Sequence, residues 1–163
     1  MSAAPALATP ALAILRPRDE IAALGMALHF LGQREPFASF PAKVLVTTVD
    51  GEIRRGHYLM AFDGQRLVGF LGWVMLNHAV AERFARTLVP PAPEEMRGAD
   101  VVWVLTVCAS SRAVLAALVR AARRQHPKCR VMGVRHRANG KPSVLRSGNG
   151  LRAERAYAVR SHP

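Results

Sequence analysis

The run "TVCASSRAVL" at 106–115 brings a thiol and two hydroxyls, Cys108, Ser110 and Ser111, to a point where a strand-like sequence gives way to a helix-like one. A helix N-terminus leaves backbone N–H groups unpaired at the positive end of its dipole, so this turn could receive the pyrophosphate or pantetheine arm of a ligand. A serine there also serves simply as a helix cap. Cys108 could act as an acyl acceptor, since thiolates near helix N-termini are activated; as a small buried side chain it would only pack. His29 and His57 are candidate proton carriers, and His78 reads as a surface residue of a helix. The GxxxxGK[ST], GxSxG and HExxH signatures are absent from the sequence. Two cysteines outside a CxxC pair and scattered histidines give no metal-ligand spacing, so no metal site is expected.

These residues need elements to hold them. "RDEIAALGMALHFLGQ" at 18–33 places Ile21, Leu24, Leu28 and Leu31 three and four apart behind an acidic first turn, the pattern of an amphipathic helix. "AKVLVTTV" mixes helix and strand formers and runs to Asp50-Gly51, a turn dipeptide, so its type stays open. "GHYLMAF" and "RLVGFLGWVML" flank Asp63-Gly64 as a hairpin. "NHAVAERFARTL" reads as a helix capped by Asn77, and "VPPAPEEMRG" at 89–98 as a proline-rich loop of the kind that borders sites. Beyond it "VVWVLTV" is a strand, "CASS" a turn, "RAVLAALVRAARRQ" a helix stopped at His126-Pro127, and "CRVMGVRHR" a strand. "ANGK" then turns into "PSVLR". Strand, helix and strand in succession make a crossover unit, and the fold class expected is α+β or α/β with helices packed on a small sheet.

Length fits one domain, with 50% hydrophobic and 21% charged residues. We divide the chain into a loose tail at 1–17, a domain at 18–147 and a basic tail at 148–163. The first 15 residues lack the positive start of a secretory signal, and no apolar run approaches the roughly 20 residues that span a bilayer. Two cysteines fit a reducing cytoplasm. The net charge of +12 is lopsided: Lys and Arg number 10 against 10 acids before Arg112, and 13 against 1 from Arg112 onward. That asymmetry points to an acidic partner, or to an arginine-rich surface that is merely solvated. Nucleic-acid binding through "RRQHPKCR" and "RHRANGK" rests on charge alone, with no aromatic platform for bases.

Taken in order, "DEIAALGMALHFL", "PFASFPAKVL", "GHYLMAFDGQRLVGFLGWVML", "RGADVVWVLTVCA" and "RRQHPKCRVMGVRHRANGKPSVLR" resemble the toxin-activating lysine acyltransferases over residues 19–146. Leu24-Gly25, Pro41, Tyr58 and Trp73 fall on family positions without a gap. The resemblance implies a single domain similar to the N-acetyltransferase (GNAT) superfamily, α+β, with a small, mostly antiparallel sheet and helices packed on it. It implies no permanently bound cofactor, a fatty-acyl thioester of acyl carrier protein as donor, protein lysines as acceptors, a cytoplasmic setting and often a homodimer. Acyl carrier protein is acidic, which would give the basic C-terminal third a partner. Trp73 and the turn Ser110, Ser111 and Arg112 become candidates for the donor groove.

Two departures bear on catalysis. The family's histidine position is Phe37 in "REPFASFP". Its aspartate falls on Leu105, or on Thr106 if the register moves by one to match Trp103. Acyl transfer to an amine needs a base, worth about 10²–10⁴-fold, and neither phenylalanine nor leucine can serve. The sequence therefore predicts a catalytically degenerate member acting as a binding or regulatory protein, with Phe37 and Leu105 filling the former centre. The alternative is an active lysine acyltransferase whose base has been replaced by His29, His57 or Cys108.

Overall fold

The computed structural model describes residues 12–136 and 142–147. Six strands form one sheet in sequence order: β1 (Ala13–Leu15), β2 (Tyr58–Asp63), β3 (Arg66–Leu76), β4 (Val101–Ala109), β5 (Arg130–His136) and β6 (Pro142–Ser147). All neighbours are antiparallel except β4 and β5, which are parallel and joined by a crossover helix, α4 (Arg112–Gln125). This is the single α+β domain expected, with a mostly antiparallel sheet.

Helices cover both faces because β3 is apolar on both. Phe70, Val74 and Leu76 point to one face and Leu71, Trp73 and Met75 to the other, all buried. The first face packs against α1 (Glu20–Gly32), α2 (Ala42–Arg54) and α3 (His78–Thr87), the second against α4 through Val114, Leu118, Ala121 and Ala122. A strand apolar on both sides is the mark of a sheet buried between layers. Each large side chain so buried contributes about 1.5–3 kcal/mol.

Several expectations change. "AKVLVTTV" is helix, and α2 runs through Asp50 and Gly51 to Arg54, so that dipeptide is no turn. Its buried residues Leu45, Val49, Glu52 and Ile53 recur at helical spacing and anchor it to the sheet, which overrides the β-branched content. The tail drawn at 1–17 is shorter, because Ala13–Leu15 pair with Met60, Ala61 and Phe62 on β2. Arg16 fastens that edge: its Nε donates to the Tyr58 carbonyl at 2.7 Å, and its guanidinium also reaches Gln125 at the end of α4. In "CASS", Cys108 and Ala109 belong to β4 and only the serines turn. Asn77 stands at the N-cap of α3 without capping it; the His78 N–H donates to Asp100 Oδ2 at 3.3 Å instead.

The proline-rich loop contains one 3-10 turn at Pro93–Glu95 and is tied to α3 by the two-pronged Arg83–Glu95 pair, at 2.8 and 2.6 Å. It then docks on the edge of β3 that β2 leaves free, where the Gly98 N–H donates to the Met75 carbonyl. A β-carbon at Gly98 would lie 2.0 Å from the backbone of Leu76 and Asn77, so only glycine lets the loop lie this close. The basic tail at 148–163 lies outside the described residues.

Candidate functional site

The parallel pair β4–β5 is paired over Val101–Val104 only, opposite Arg130–Gly133. β4 runs on to Ala109 beside β3, while β5 turns its other edge to β6. A wedge therefore opens along the second half of β4. Ser110 donates its N–H to the Val68 carbonyl at 2.8 Å, which fixes the alternation: Cys108 and Thr106 face β3, and the N–H and C=O groups of Val107 and Ala109 face the wedge. An unpaired strand edge of this kind is a template for a partner with alternating amide donors and acceptors.

The mouth of the wedge is the start of α4. Ser110, Ser111 and Arg112 are all exposed there. The Ser111 hydroxyl accepts the Val114 N–H at 3.2 Å, the cap that the sequence offered as the plainer reading. Cys108 faces the core beneath α1 and α2, and burial raises its thiol pKa, with Arg34 opposing, so its setting does not activate it.

The apex of the wedge carries a kink. Gly72 pairs with Thr106 and Trp73 with Val104, leaving Leu105 as an extra residue in β4. Leu105 packs in the cluster of Phe84, Trp103 and Met132 under α3. Phe37 is 8% exposed and belongs to a different cluster, with Phe30, Leu45 and Phe70 under α1 and α2, its ring edge-on to Phe40 at 5.6 Å. Phe37 and Leu105 therefore fill separate parts of the core and do not share one centre.

Thr106, the other register for the family's aspartate, has a carboxyl for a neighbour that sequence reasoning missed. Glu52 of α2 is wholly buried, its carboxyl lying against Gly72 beside Thr106. Burial holds its pKa well above the usual carboxylate range; Thr106 and the positive charge of Arg55 oppose that, in that order. Neither carboxyl oxygen has a hydrogen-bond partner of normal geometry among the described residues. Glutamate at an interior position of an otherwise apolar helix face, after Leu45 and Val49 and before Ile53, was the signal that could have found it.

On the opposite face Trp73 is wholly buried and lines an apolar cleft with Val104, Val119, His126 and Val131. His57 stacks on its ring at 6.0 Å, His126 meets it edge-on at 5.6 Å, and Arg16 lies over it at 5.8 Å. Trp73 Nε1 and His57 Nδ1 are buried without hydrogen-bond partners among the described residues. Burial, then Arg55, His126 and Arg16, push the His57 pKa down to about 4. Trp73 is thus separated from the Ser110–Arg112 turn by several residues of β4, roughly 20 Å of strand. The other candidate base, His29, is exposed and bonded to Gln33 at 2.9 Å, and His78, read as a surface residue, is exposed at the start of α3. Among the described residues no group of three or more His, Cys, Asp or Glu could hold a metal.

No family model and no curated protein matches the chain. Among solved structures, the PaiA N-acetyltransferase from Thermoplasma acidophilum, in complex with coenzyme A, is similar over 79% of this chain and 82% of its own, at 11% identity and a TM-score of 0.45. The N-acetylglutamate synthase from Neisseria gonorrhoeae, complexed with coenzyme A and N-acetyl-glutamate, is similar over 78% of this chain and 26% of its own, at 11% identity and a TM-score of 0.39. Likenesses at these scores carry no functional argument.

Proposed function

We propose that this protein is an acyltransferase that seats a phosphopantetheine thioester along the open edge of β4 and passes its acyl group to an amine. The observation that carries the reading is the parting of β4 from β5 after Val104, which turns the backbone of Val107 and Ala109 toward a lane that no strand among the described residues fills. A pantetheine arm is a short chain with two amides, and it can satisfy those groups as a strand would. Its phosphate end would meet the N-terminus of α4 beside Arg112, and its sulfur end the kink at Leu105.

The resemblance in sequence supports a finer version, in which the donor is acyl carrier protein and the acceptor a lysine of a protein. The run of 13 Lys or Arg against 1 acid from Arg112 onward supports an acidic donor protein.

Titration with acyl carrier protein thioester and with the matching coenzyme A thioester tests this. We expect saturable binding of at least one, and tighter, salt-sensitive binding of the carrier protein if the finer version holds. Binding of neither overturns the proposal.

A second reading is favoured by Phe37 and Leu105, apolar where the resemblance calls for a histidine and an aspartate. On that reading the lane binds a donor without turning it over. Intact-mass measurement of an amine acceptor, alongside the titration, separates the two.

A further inference from the structure

The acyl-transfer reading by itself names no base: Cys108 points into the core beneath α1 and α2, and His57 and His126 pack on Trp73, on the opposite face of the sheet from Gly72. We infer that Glu52 is the catalytic base, accepting the proton of the attacking amine at the point where β4 kinks away from β5. The inference rests on the acyl-transfer reading and adds to it the residue that moves the proton.

Three observations converge on this carboxyl. It is wholly buried, and among the described residues neither oxygen has a hydrogen-bond partner of normal geometry, Thr106 being the polar side chain beside it, an arrangement that costs stability and that a structural role would not require. β3 makes room for it with a glycine, since a β-carbon at Gly72 would lie 2.2 Å from the carboxyl. And its neighbour Thr106 is the residue next to the unpaired Leu105, where a thioester lying along Val107 and Ala109 would end. The groups that face it are Gly72 from β3, Thr106 from β4 and Arg55 from the end of its own helix. Arg55 is the charge among them, and it favours the ionised form that a base needs.

The step balances without a further reactant. The neutral amine nitrogen forms a bond to the thioester carbonyl carbon, and its proton passes to the Glu52 carboxylate. The carbon–sulfur bond then breaks, and the thiolate leaves with that proton. A carboxyl whose affinity for protons is raised by burial is better matched to this task than an exposed one, because the catalytic pKa should lie near the working pH.

The experiment uses the full chain, an octanoyl thioester of acyl carrier protein or coenzyme A, and Nα-acetyl-lysine amide as acceptor. Donor binding and amide formation are measured separately from pH 5 to 9. For the wild-type protein kcat/KM, referred to the concentration of neutral amine because a lysine amine ionises near about 10.4, should rise through a single ionisation above the ordinary carboxylate range. Glu52→Gln, close in shape, should bind the donor within about twofold of wild type and lose transfer by about 10²–10⁴-fold, the usual worth of a base. Glu52→Asp should retain part of the activity and the same rising limb.

Donor binding with transfer unchanged in Glu52→Gln overturns the assignment and leaves the acyl-transfer reading intact. Donor binding with no transfer by the wild-type protein overturns the assignment and favours the binding-only reading. No donor binding overturns both. Should Glu52→Gln fail to fold, the wild-type pH profile still decides, because a rate without that rising limb excludes a carboxyl base.

Discussion

The Glu52 carboxyl lies flat against the α-carbon of Gly72, so that a β-carbon placed there would come within 2.2 Å of it. One residue's missing side chain is thus filled by another's carboxyl end. Gly72→Ala should destabilise the fold by about 1–3 kcal/mol, the usual range for overpacking. In the Glu52→Ala background the same change should cost much less. A urea-denaturation double-mutant cycle measures the coupling, and additive effects would show that the two residues do not compete for the space.

A carboxyl held above its usual range makes stability fall as pH rises. Below the unfolded value, near 4.5, both states bind the proton and nothing is lost. Above it the unfolded chain ionises while folded Glu52 keeps its proton, and the loss continues until the folded carboxyl itself titrates. The slope for one such group is at most about 1.4 kcal/mol per pH unit. Relative to wild type, Glu52→Gln should therefore gain stability as pH rises above the unfolded value, until the folded carboxyl ionises. A difference that stays flat over that window would mean the carboxyl is not perturbed.

His57 behaves in the opposite sense. Its pKa is pushed down to about 4, so between pH 6.5 and 4 the unfolded chain takes up a proton that the folded chain refuses, and stability is lost as pH falls through that window. The His57 ring protons should titrate in NMR with a midpoint near 4. Arg55 acts on both groups, lowering His57 and lowering Glu52. Arg55→Gln should move both midpoints upward, by less at high salt because Arg55 is exposed. A midpoint for His57 near 6.5 in the wild-type protein would contradict the packing against Trp73.

The N–H of Val107 faces the wedge and is not used to bond β3, so Val107→Pro removes a donor that the fold does not spend. Proline is tolerated on strand edges for that reason. Donor binding should weaken at least tenfold while the melting temperature changes little. Cys108→Pro, whose N–H faces β3, should instead unfold the strand. If Val107→Pro leaves donor affinity untouched, the donor does not pair with β4.

The hairpin, α1 and the β4–α4–β5 crossover were legible because each has one period and a clear turn: Asp63-Gly64, an acidic helix start, and Ser110-Ser111. Helix α2 was not, because Asp50-Gly51 mimics a turn and Glu52 interrupts an apolar face at the one position where a charge is least expected. That interruption also hid the site. The parting of β4 from β5 leaves no mark in local pattern, since β5 is extended throughout and keeps β6 along its other edge while it leaves β4. Resemblance pointed to Phe37 and Leu105, which the fold sends to separate clusters, whereas the carboxyl beside Thr106 comes from a different element altogether.

A histidine placed at residue 37 should not supply the chemistry. Phe37 is packed with Phe30, Leu45 and Phe70, and its ring meets Phe40 edge-on. An imidazole there would bury polar nitrogens without partners and lose apolar contact, a cost of about 1–3 kcal/mol for an unsatisfied group. Phe37→His should therefore lower the denaturation midpoint and leave amide formation no faster than in the wild-type protein. A rise in transfer rate in Phe37→His, with Glu52→Gln then silent, would instead mean that the histidine position still reaches the reacting atoms and that Glu52 is not the base.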